Sequence, residues 1–176
     1  MFRTNTVEKA KKGDQKAFMQ LIDQEKEKLY RMAFMYVKNE NDALDIVQDT
    51  VYKALISIKN IKDVSLFSTW ITRILINTSL DFIKKKKKIV PIDQDFLERF
   101  EEDNQPSILE ERLDLLHAIN DLDEKYKTVV ILRYYQDFTV KQIADILEYP
   151  EGTVKTTLHR AINKLRSLMK EVCINE

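Results

Sequence analysis

Apolar residues recur three and four positions apart through most of the chain, which is the spacing of one face of an α-helix. After Gly13, a stripe through Phe18, Leu21 and Leu29 predicts one amphipathic helix or a broken pair. Asp14 stands where its side chain can cap the start of that helix.

A second stripe predicts the clearest helix of the chain, capped by Asn41 or Asp42. Its inward face is expected to carry six apolar residues: Leu44, Val47, Val51, Ala54, Leu55 and Ile58. An irregular loop from Lys59 to Phe67 follows, and a third amphipathic helix is predicted from about Ser68.

The second half shows the same rhythm around a short turn. Asp123 is expected to cap a helix, and Thr139 with Gln142 forms a capping-box pattern that opens a shorter one. Pro150-Glu151-Gly152 is predicted to form the turn into a last helix. Two helices joined by a short turn containing glycine are typical of a helix-turn-helix unit.

Glycine and proline are scarce, with two glycines and three prolines in 176 residues, too few for a many-stranded sandwich or barrel. The periodicity fades from 89 onward, where acids crowd between Pro91 and Pro106. We therefore predict an all-α fold of two small helical domains, 1–88 and 113–176, joined by a flexible acidic linker over 89–112. The second domain contains the helix-turn-helix.

The formal net charge of zero conceals a segregation along the chain. Met1 to Lys88 has 18 basic and 11 acidic residues, Ile89 to Asp114 has 2 and 9, and Leu115 to Glu176 has 9 of each. This distribution suggests a basic half that meets a polyanion, followed by an acidic tether.

Several classes of function are disfavoured. The single cysteine, Cys173, cannot form an internal disulfide, and His117 and His159 give no metal-ligand spacing. There is no Ser/His/Asp set, phosphate-binding loop or paired-carboxylate site, so we expect neither an enzyme nor a cofactor. No apolar run approaches the length of a membrane span and no leader is evident, so we expect a cytoplasmic protein without membrane insertion.

The last helix has five basic residues and no acids between Gly152 and Lys170. The face opposite its apolar stripe carries Thr153, Lys155, Thr156, His159, Arg160 and Asn163. Such donors fit the major groove of B-DNA, where Arg or Lys can bond guanine and Asn can bond adenine. A solvated helix face is the alternative from charge alone.

Two groups in the first half could also bind partners. Phe67 and Trp70 stand beside Arg73 and Asn77, a combination suited to stacking and holding unpaired bases, although the rings could instead fill a small core. A polar ridge with acidic members lies on the second predicted helix, where a simple solvent face is the alternative; it comprises Asp42, Asp45, Gln48, Asp49 and Tyr52.

The residues themselves resemble a known family. Three stretches, Gly13 to Phe18, Asn41 to Thr50 and Phe67 to Asn77, resemble region two of bacterial sigma factors. The stretches around Leu122-Asp-Glu and Pro150-Glu-Gly-Thr-Val-Lys155 resemble region four. Their order, and the lack of other domains, is similar to the extracytoplasmic-function subclass.

The resemblance implies three partners: core RNA polymerase, promoter DNA and an anti-sigma protein. It implies that the acidic ridge docks on the polymerase. It implies that a second set melts the promoter and captures an unpaired base of the minus-ten element: Lys59, Asn60, Lys62, Asp63, Ser65, Phe67, Trp70, Arg73 and Asn77. A third set would read the minus-thirty-five element: Thr139, Gly152, Thr153, Lys155, Thr156, His159, Arg160 and Asn163.

Two features depart from the pattern of the family and leave the base preference open: the variable loop from Ile61 to Leu66 and Thr157 in the last helix. The linker interleaves Phe96, Leu97 and Phe100 with its acids, and we interpret it as a mimic of nucleic acid. An acidic linker that merely stays soluble and away from DNA is the alternative. Two other functions fit the pattern, a stand-alone helix-turn-helix regulator and a helical protein-binding adaptor.

Overall fold

The computed structural model describes residues 2–86 and 115–172, and their side chains over 4–86 and 115–169. The chain divides into two compact units, Met1–Val90 and Pro91–Glu176. Every regular element within the described residues is helical, so the predicted all-α fold is confirmed. The predicted linker over 89–112 lies outside the described residues, and the domain boundaries stay a prediction.

The first unit consists of four α-helices: α1 (Phe2–Lys11), α2 (Gln15–Val37), α3 (Glu40–Ser57) and α4 (Phe67–Lys86). Two 3₁₀ turns, Ile58–Asn60 and Val64–Leu66, lie in the connection between α3 and α4. Helix α2 packs against each of the other three helices, so the core surrounds it. The largest fully buried side chains of this unit are Val7, Leu21, Leu29, Met32, Ile46, Phe67, Ile71, Leu75 and Ile76.

The sequence predicted the N-cap residue of α2 correctly but not that of α3. Asp14 accepts a hydrogen bond from the Ala17 amide at 3.0 Å, as predicted. The prediction of Asn41 or Asp42 as the cap of α3 was wrong, because Asn39 has the extended backbone of an N-cap and accepts from the Asp42 amide at 3.0 Å.

The predicted inward face of α3 was correct for Ala54 and Ile58, which are buried, but wrong for Leu44 and Leu55. Leu44 is 49% exposed and Leu55 is 46% exposed, whereas the residues that face α2 and α4 are mostly small. These buried residues are Ala43, Ile46, Thr50 and Ala54. Alanine and threonine let neighbouring helices approach closely, so the larger apolar residues remain at the surface of the unit.

The second unit opens with a helical stretch over 115–120 and continues with α5 (Glu124–Val130) and a π-helical turn (Ile131–Tyr135). Helices α6 (Val140–Leu147) and α7 (Glu151–Val172) form the helix-turn-helix, and α7 packs against both α5 and α6. The capping box of Thr139 and Gln142 is present, as predicted.

Two local predictions in the second unit need correction. Asp123 occupies the cap position of α5, but its side chain makes no capping bond and pairs with Lys164 instead. Gly152 lies inside the first turn of α7 rather than in the turn before it, and the left-handed backbone belongs to Glu148 at φ 55°.

Candidate nucleic-acid interface

The exposed face of α7 gathers the predicted base-reading residues. Val154, Ala161 and Leu165 are buried against the rest of the unit and fix which side of α7 faces inward. The predicted members within α7 all lie exposed on the other side: Gly152, Thr153, Lys155, Thr156, His159, Arg160 and Asn163. The structure therefore brings together polar donors three to four residues apart along one helix face.

Several of these side chains are held by local hydrogen bonds. The His159 ring nitrogen Nε2 lies 3.1 Å from the Asn163 amide, and the Thr156 hydroxyl donates to the Gly152 carbonyl at 2.9 Å. Thr139 stands outside this helix, and its hydroxyl serves the capping box of α6. Thr139 is exposed at the start of the helix-turn-helix, and its contact with the minus-thirty-five element stays a prediction.

The turn between α6 and α7 is built from backbone hydrogen bonds. Helix α6 ends where Glu148 turns left-handed and its amide donates to the Ala144 carbonyl. The Pro150 carbonyl then accepts from the amides of Thr153 and Val154 at 2.9 and 3.1 Å, which starts α7. These bonds set the direction in which α7 leaves the turn.

Lys164 differs from the other basic residues of α7. Its Nζ donates to Asp123 Oδ2 at 3.0 Å and lies 5.9 Å from the centre of the Tyr126 ring. This hydrogen bond and the positive charge of Lys164 lower the pKa of Asp123 below its ordinary value. Lys164 therefore ties α7 to the start of α5.

In the first unit, the connection between α3 and α4 presents the predicted base-capturing loop. Lys59, Asn60 and Lys62 are exposed. Asp63 Oδ1 accepts from the Ser65 amide at 2.9 Å and from the Ser65 hydroxyl at 2.6 Å, and these hydrogen bonds lower the pKa of Asp63. The loop is thus internally braced while its polar groups face solvent.

The two aromatic residues at the start of α4 have different environments. Phe67 is 1% exposed and belongs to the core, so its ring is not accessible to a base, contrary to the prediction. Trp70 is half-buried, with its ring centre 5.8 Å from that of Phe67 at 42°. Farther along α4, Arg73 is half-buried and Asn77 is exposed.

The acidic ridge on α3 is part of a larger mixed surface. Asp45, Gln48, Asp49 and Tyr52 are exposed, and helical geometry places them beside the exposed Leu44, Leu55 and Ile56. Asp42 is set apart, because its side chain is only 15% exposed and its carboxylate pairs with Lys86 of α4. We call the seven exposed residues the α3 face.

Sequence reasoning missed the apolar part of the α3 face, because it assigned Leu44 and Leu55 to the core and gave Ile56 no role. Their signal was present in α3 itself, which has apolar residues on more than one side and so has more of them than one core face can bury. Exposed apolar side chains clustered beside charges are typical of protein interaction sites.

Residues 2–86 and 115–172 contain no helix long and apolar enough to cross a membrane. Within the same ranges, no group of three His, Cys, Asp or Glu side chains could hold a metal ion.

Comparison with known proteins gives matches to both units. Residues 21–89 match the family model of sigma-70 region 2, and residues 112–165 match that of sigma-70 region 4. The chain is 40% identical over 154 residues to the RNA polymerase sigma factor SigV of Bacillus subtilis, covering 85% of this chain and 90% of SigV.

A second relative and a solved structure extend the likeness. The ECF RNA polymerase sigma factor SigW of Bacillus subtilis is 32% identical over 179 residues, covering 94% of this chain and 96% of SigW. The sigma factor RpoE of Bartonella quintana, solved in complex with the anti-sigma factor NepR, is similar in fold with a TM-score of 0.74. That likeness is at 24% identity and covers 88% of this chain and 98% of RpoE.

Proposed function

The chain belongs to the sigma-70 family as an extracytoplasmic-function sigma factor, and we propose that three of its surfaces divide the work of promoter recognition. As a sigma factor it binds core RNA polymerase and directs promoter recognition, DNA melting and initiation. The catalytic chemistry belongs to the polymerase, because sigma factors are initiation factors without enzymatic activity of their own.

The exposed face of α7 is proposed to read the minus-thirty-five element. The observation that carries this proposal is the clustering of His159, Arg160 and Asn163 opposite a buried stripe on the second helix of a helix-turn-helix. Arg160 and Lys155 are the candidates for guanine contacts, because long basic side chains reach the guanine edge in the major groove.

The loop between α3 and α4 is proposed to capture an unpaired base of the minus-ten element, with Trp70 beside it. The exposed groups of this surface are Lys59, Asn60, Lys62, Asp63, Ser65 and Asn77. Melting a promoter costs a few kcal/mol for each unstacked step, and ring stacking with bonds to an extruded base offsets that cost. Phe67 supports Trp70 from the core and is not assigned a contact with DNA.

The α3 face is proposed to bind the polymerase. Its centre is Gln48 and Tyr52, with Asp45 and Asp49 toward one side and Leu44 with Leu55 toward the other. Such a surface fits a partner that offers basic side chains next to apolar ones. Asp42 is assigned instead to the ion pair with Lys86 that joins α3 to α4.

The regulator is proposed to be an anti-sigma protein that covers the polymerase-binding surface, as the solved relative in complex with one suggests. Exposed apolar residues on the α3 face supply an area that such a protein can bury. The working compartment is proposed to be the cytoplasm, where the polymerase acts.

The test of the polymerase assignment is a charge reversal with a matched control. Asp45→Lys with Asp49→Lys should abolish co-purification with core polymerase, because the α3 face would then carry positive charge and repel a basic partner surface. The control is Asp23→Lys with Glu27→Lys, which has the same spacing and charge change on the exposed side of α2. Equal binding by both double variants, with intact circular dichroism, would remove the α3 face from polymerase binding.

A further inference from the structure

A hydrogen bond joins the end of α1 to the proposed base-capturing loop, 50 residues away along the chain. Lys11 Nζ donates to the Ile61 carbonyl at 2.7 Å, and the bond is partly buried. Ile61 leaves the first 3₁₀ turn in an extended conformation, with φ −62° and ψ 123°. Its carbonyl therefore meets an ammonium group from another element, which is a charge-assisted hydrogen bond.

Helix α1 is held firmly enough to serve as a brace. Val7 and Ala10 are buried, and α1 packs against α2 and against both 3₁₀ turns of the connection. Gly13, at φ 100°, lets the chain reverse, and the Asp14 amide donates back to the Lys9 carbonyl at 3.1 Å. The end of α1 is thereby fixed relative to α2.

The loop has local hydrogen bonds that fix its two halves separately. The Ile61 amide donates to Ile58, and the Leu66 amide donates to Asp63. Both Ile58 and Ile61 are buried at 3% exposure, so the first half is anchored in the core. Lys62, Asp63, Ser65 and Leu66 are exposed. Because these residues follow Ile61 directly, the orientation of the Ile61 peptide group should affect the direction of this segment.

We propose that Lys11 is a positioning residue for promoter selection, whose hydrogen bond to the Ile61 carbonyl sets the shape in which the loop accepts an unpaired base. The proposal rests on the assignment of that loop to base capture. It gives α1, which the hydrophobic pattern did not predict, a role in selectivity. Lys11 itself makes no contact with DNA.

The experiment measures base preference and loop protection in the full-length protein. Transcription by core polymerase is compared on promoters that carry each of the four bases at every minus-ten position. The variants are Lys11→Met, which keeps the aliphatic stem, and Lys11→Arg, which keeps a charged donor. Lys12→Met is the matched control, since Lys12 is the exposed neighbour with the same charge. A loop variant, Asn60→Ala with Lys62→Ala, tests the loop itself.

We expect Lys11→Met to reduce discrimination at the unpaired position about 3- to 10-fold, because small misplacements of a binding group are costly. Preference at the minus-thirty-five element should not change. Hydrogen exchange at the Ser65 and Leu66 amides should quicken in Lys11→Met alone. Lys11→Arg and Lys12→Met should keep the parental profile.

A parental base profile for Lys11→Met, beside an altered profile for the loop variant, would overturn the inference while leaving the proposed function intact. A parental profile for the loop variant would overturn the base-capture assignment and the inference with it. If Lys11→Met does not fold, Lys11→Gln replaces it, because glutamine is uncharged and too short to keep the bond to the Ile61 carbonyl. It should show the same reduced base discrimination and the same faster hydrogen exchange.

Discussion

The ammonium of Lys164 lies 3.0 Å from the carboxylate of Asp123, which separates this lysine from the other basic residues of α7. Lys155, Arg160 and Arg166 are exposed, whereas Lys164 is partly covered and directed toward α5. Its charge is balanced within the unit. We therefore expect Lys164 to act as a structural contact rather than as a contact with DNA.

Lys164→Met is accordingly expected to leave the salt dependence of promoter binding unchanged in the complex with polymerase. Arg160→Ala should lower the slope of log affinity against log salt by about 1 if Arg160 meets a phosphate, or relax selectivity at one base if it reads an edge. Fluorescence anisotropy over a salt series measures both. A lower slope for Lys164→Met would place that side chain on DNA.

The same ion pair gives a prediction about pH. Because Lys164 lowers the pKa of Asp123 below 3.8, the folded protein favours the ionised carboxylate more than the unfolded chain does. The resulting stabilisation is present above pH 3.8 and is lost as pH falls through the folded pKa. Carboxyl NMR titration should place the midpoint of Asp123 below 3.8 and return it upward in Lys164→Met.

Lys125→Met is the matched control for that titration, because Lys125 makes the smallest contribution to the lowered pKa of Asp123. Its effect on the midpoint should be smaller than that of Lys164→Met. An equal shift in both variants would mean that overall charge, and not the hydrogen bond, lowers the pKa.

Gly152 offers a test in which stability and function move in opposite directions. Gly152 lies in α7 and has no positive φ, and no atom outside its own stretch of helix lies within 4 Å of the place that an alanine methyl group would occupy. Gly152→Ala should therefore stabilise the fold by about 0.4–1 kcal/mol, chiefly because alanine restricts the unfolded chain. If the α7 face lies against DNA, the added methyl should reduce transcription from promoters that depend on the minus-thirty-five element. Thermal unfolding and transcription assays measure the two effects.

A gain in stability with undiminished transcription would show that nothing approaches Gly152 closely. Ala161 lies on the buried side of the same helix and already carries the methyl group that Gly152 lacks. The backbone and the open space at Gly152 show that the fold itself does not require glycine there.

Phe67 and Trp70 are neighbours, and we expect their roles to be separable. Phe67→Ala should destabilise the protein by about 3–5 kcal/mol, because it empties a fully buried site. Phe67→Leu should fold and still open promoters, whereas Trp70→Leu should fold but open them poorly. Reactivity of unpaired thymines to permanganate measures opening. Poor opening by a folded Phe67→Leu variant would return that ring to the DNA-binding surface.

The sequence predicted the helices best where one stripe of large apolar residues met one core. The last helix is such a case, because Val154, Ala161 and Leu165 are buried on the side opposite its predicted polar face. Helix α3 is the opposite case. Its core side consists mostly of small residues such as Ala43 and Thr50. The larger apolar residues Leu44 and Leu55 gave the stronger hydrophobic pattern, although both are exposed.

Interactions between distant residues could not be predicted from pattern. Asp123 has the type and position of a helix cap, but a lysine 41 residues later competes for its carboxylate. Likewise, the bond from Lys11 to Ile61 depends on how α1 packs, and α1 has a weak apolar stripe. Capping within three residues was predicted correctly at α2 and α6 but not at α3, where Asn39, Asn41 and Asp42 are all residue types that cap helices.

The most direct test of the central claim is transcription by purified core polymerase from a randomised promoter library, with and without this protein. We expect the active promoters to share two short sequence blocks at a fixed separation, near minus thirty-five and minus ten, and transcription to require the protein. Isolated protein should bind the same duplexes weakly and with strong salt dependence. Tight binding to a palindromic duplex without core, and no transcript from the library, would contradict the account and favour a stand-alone helix-turn-helix regulator.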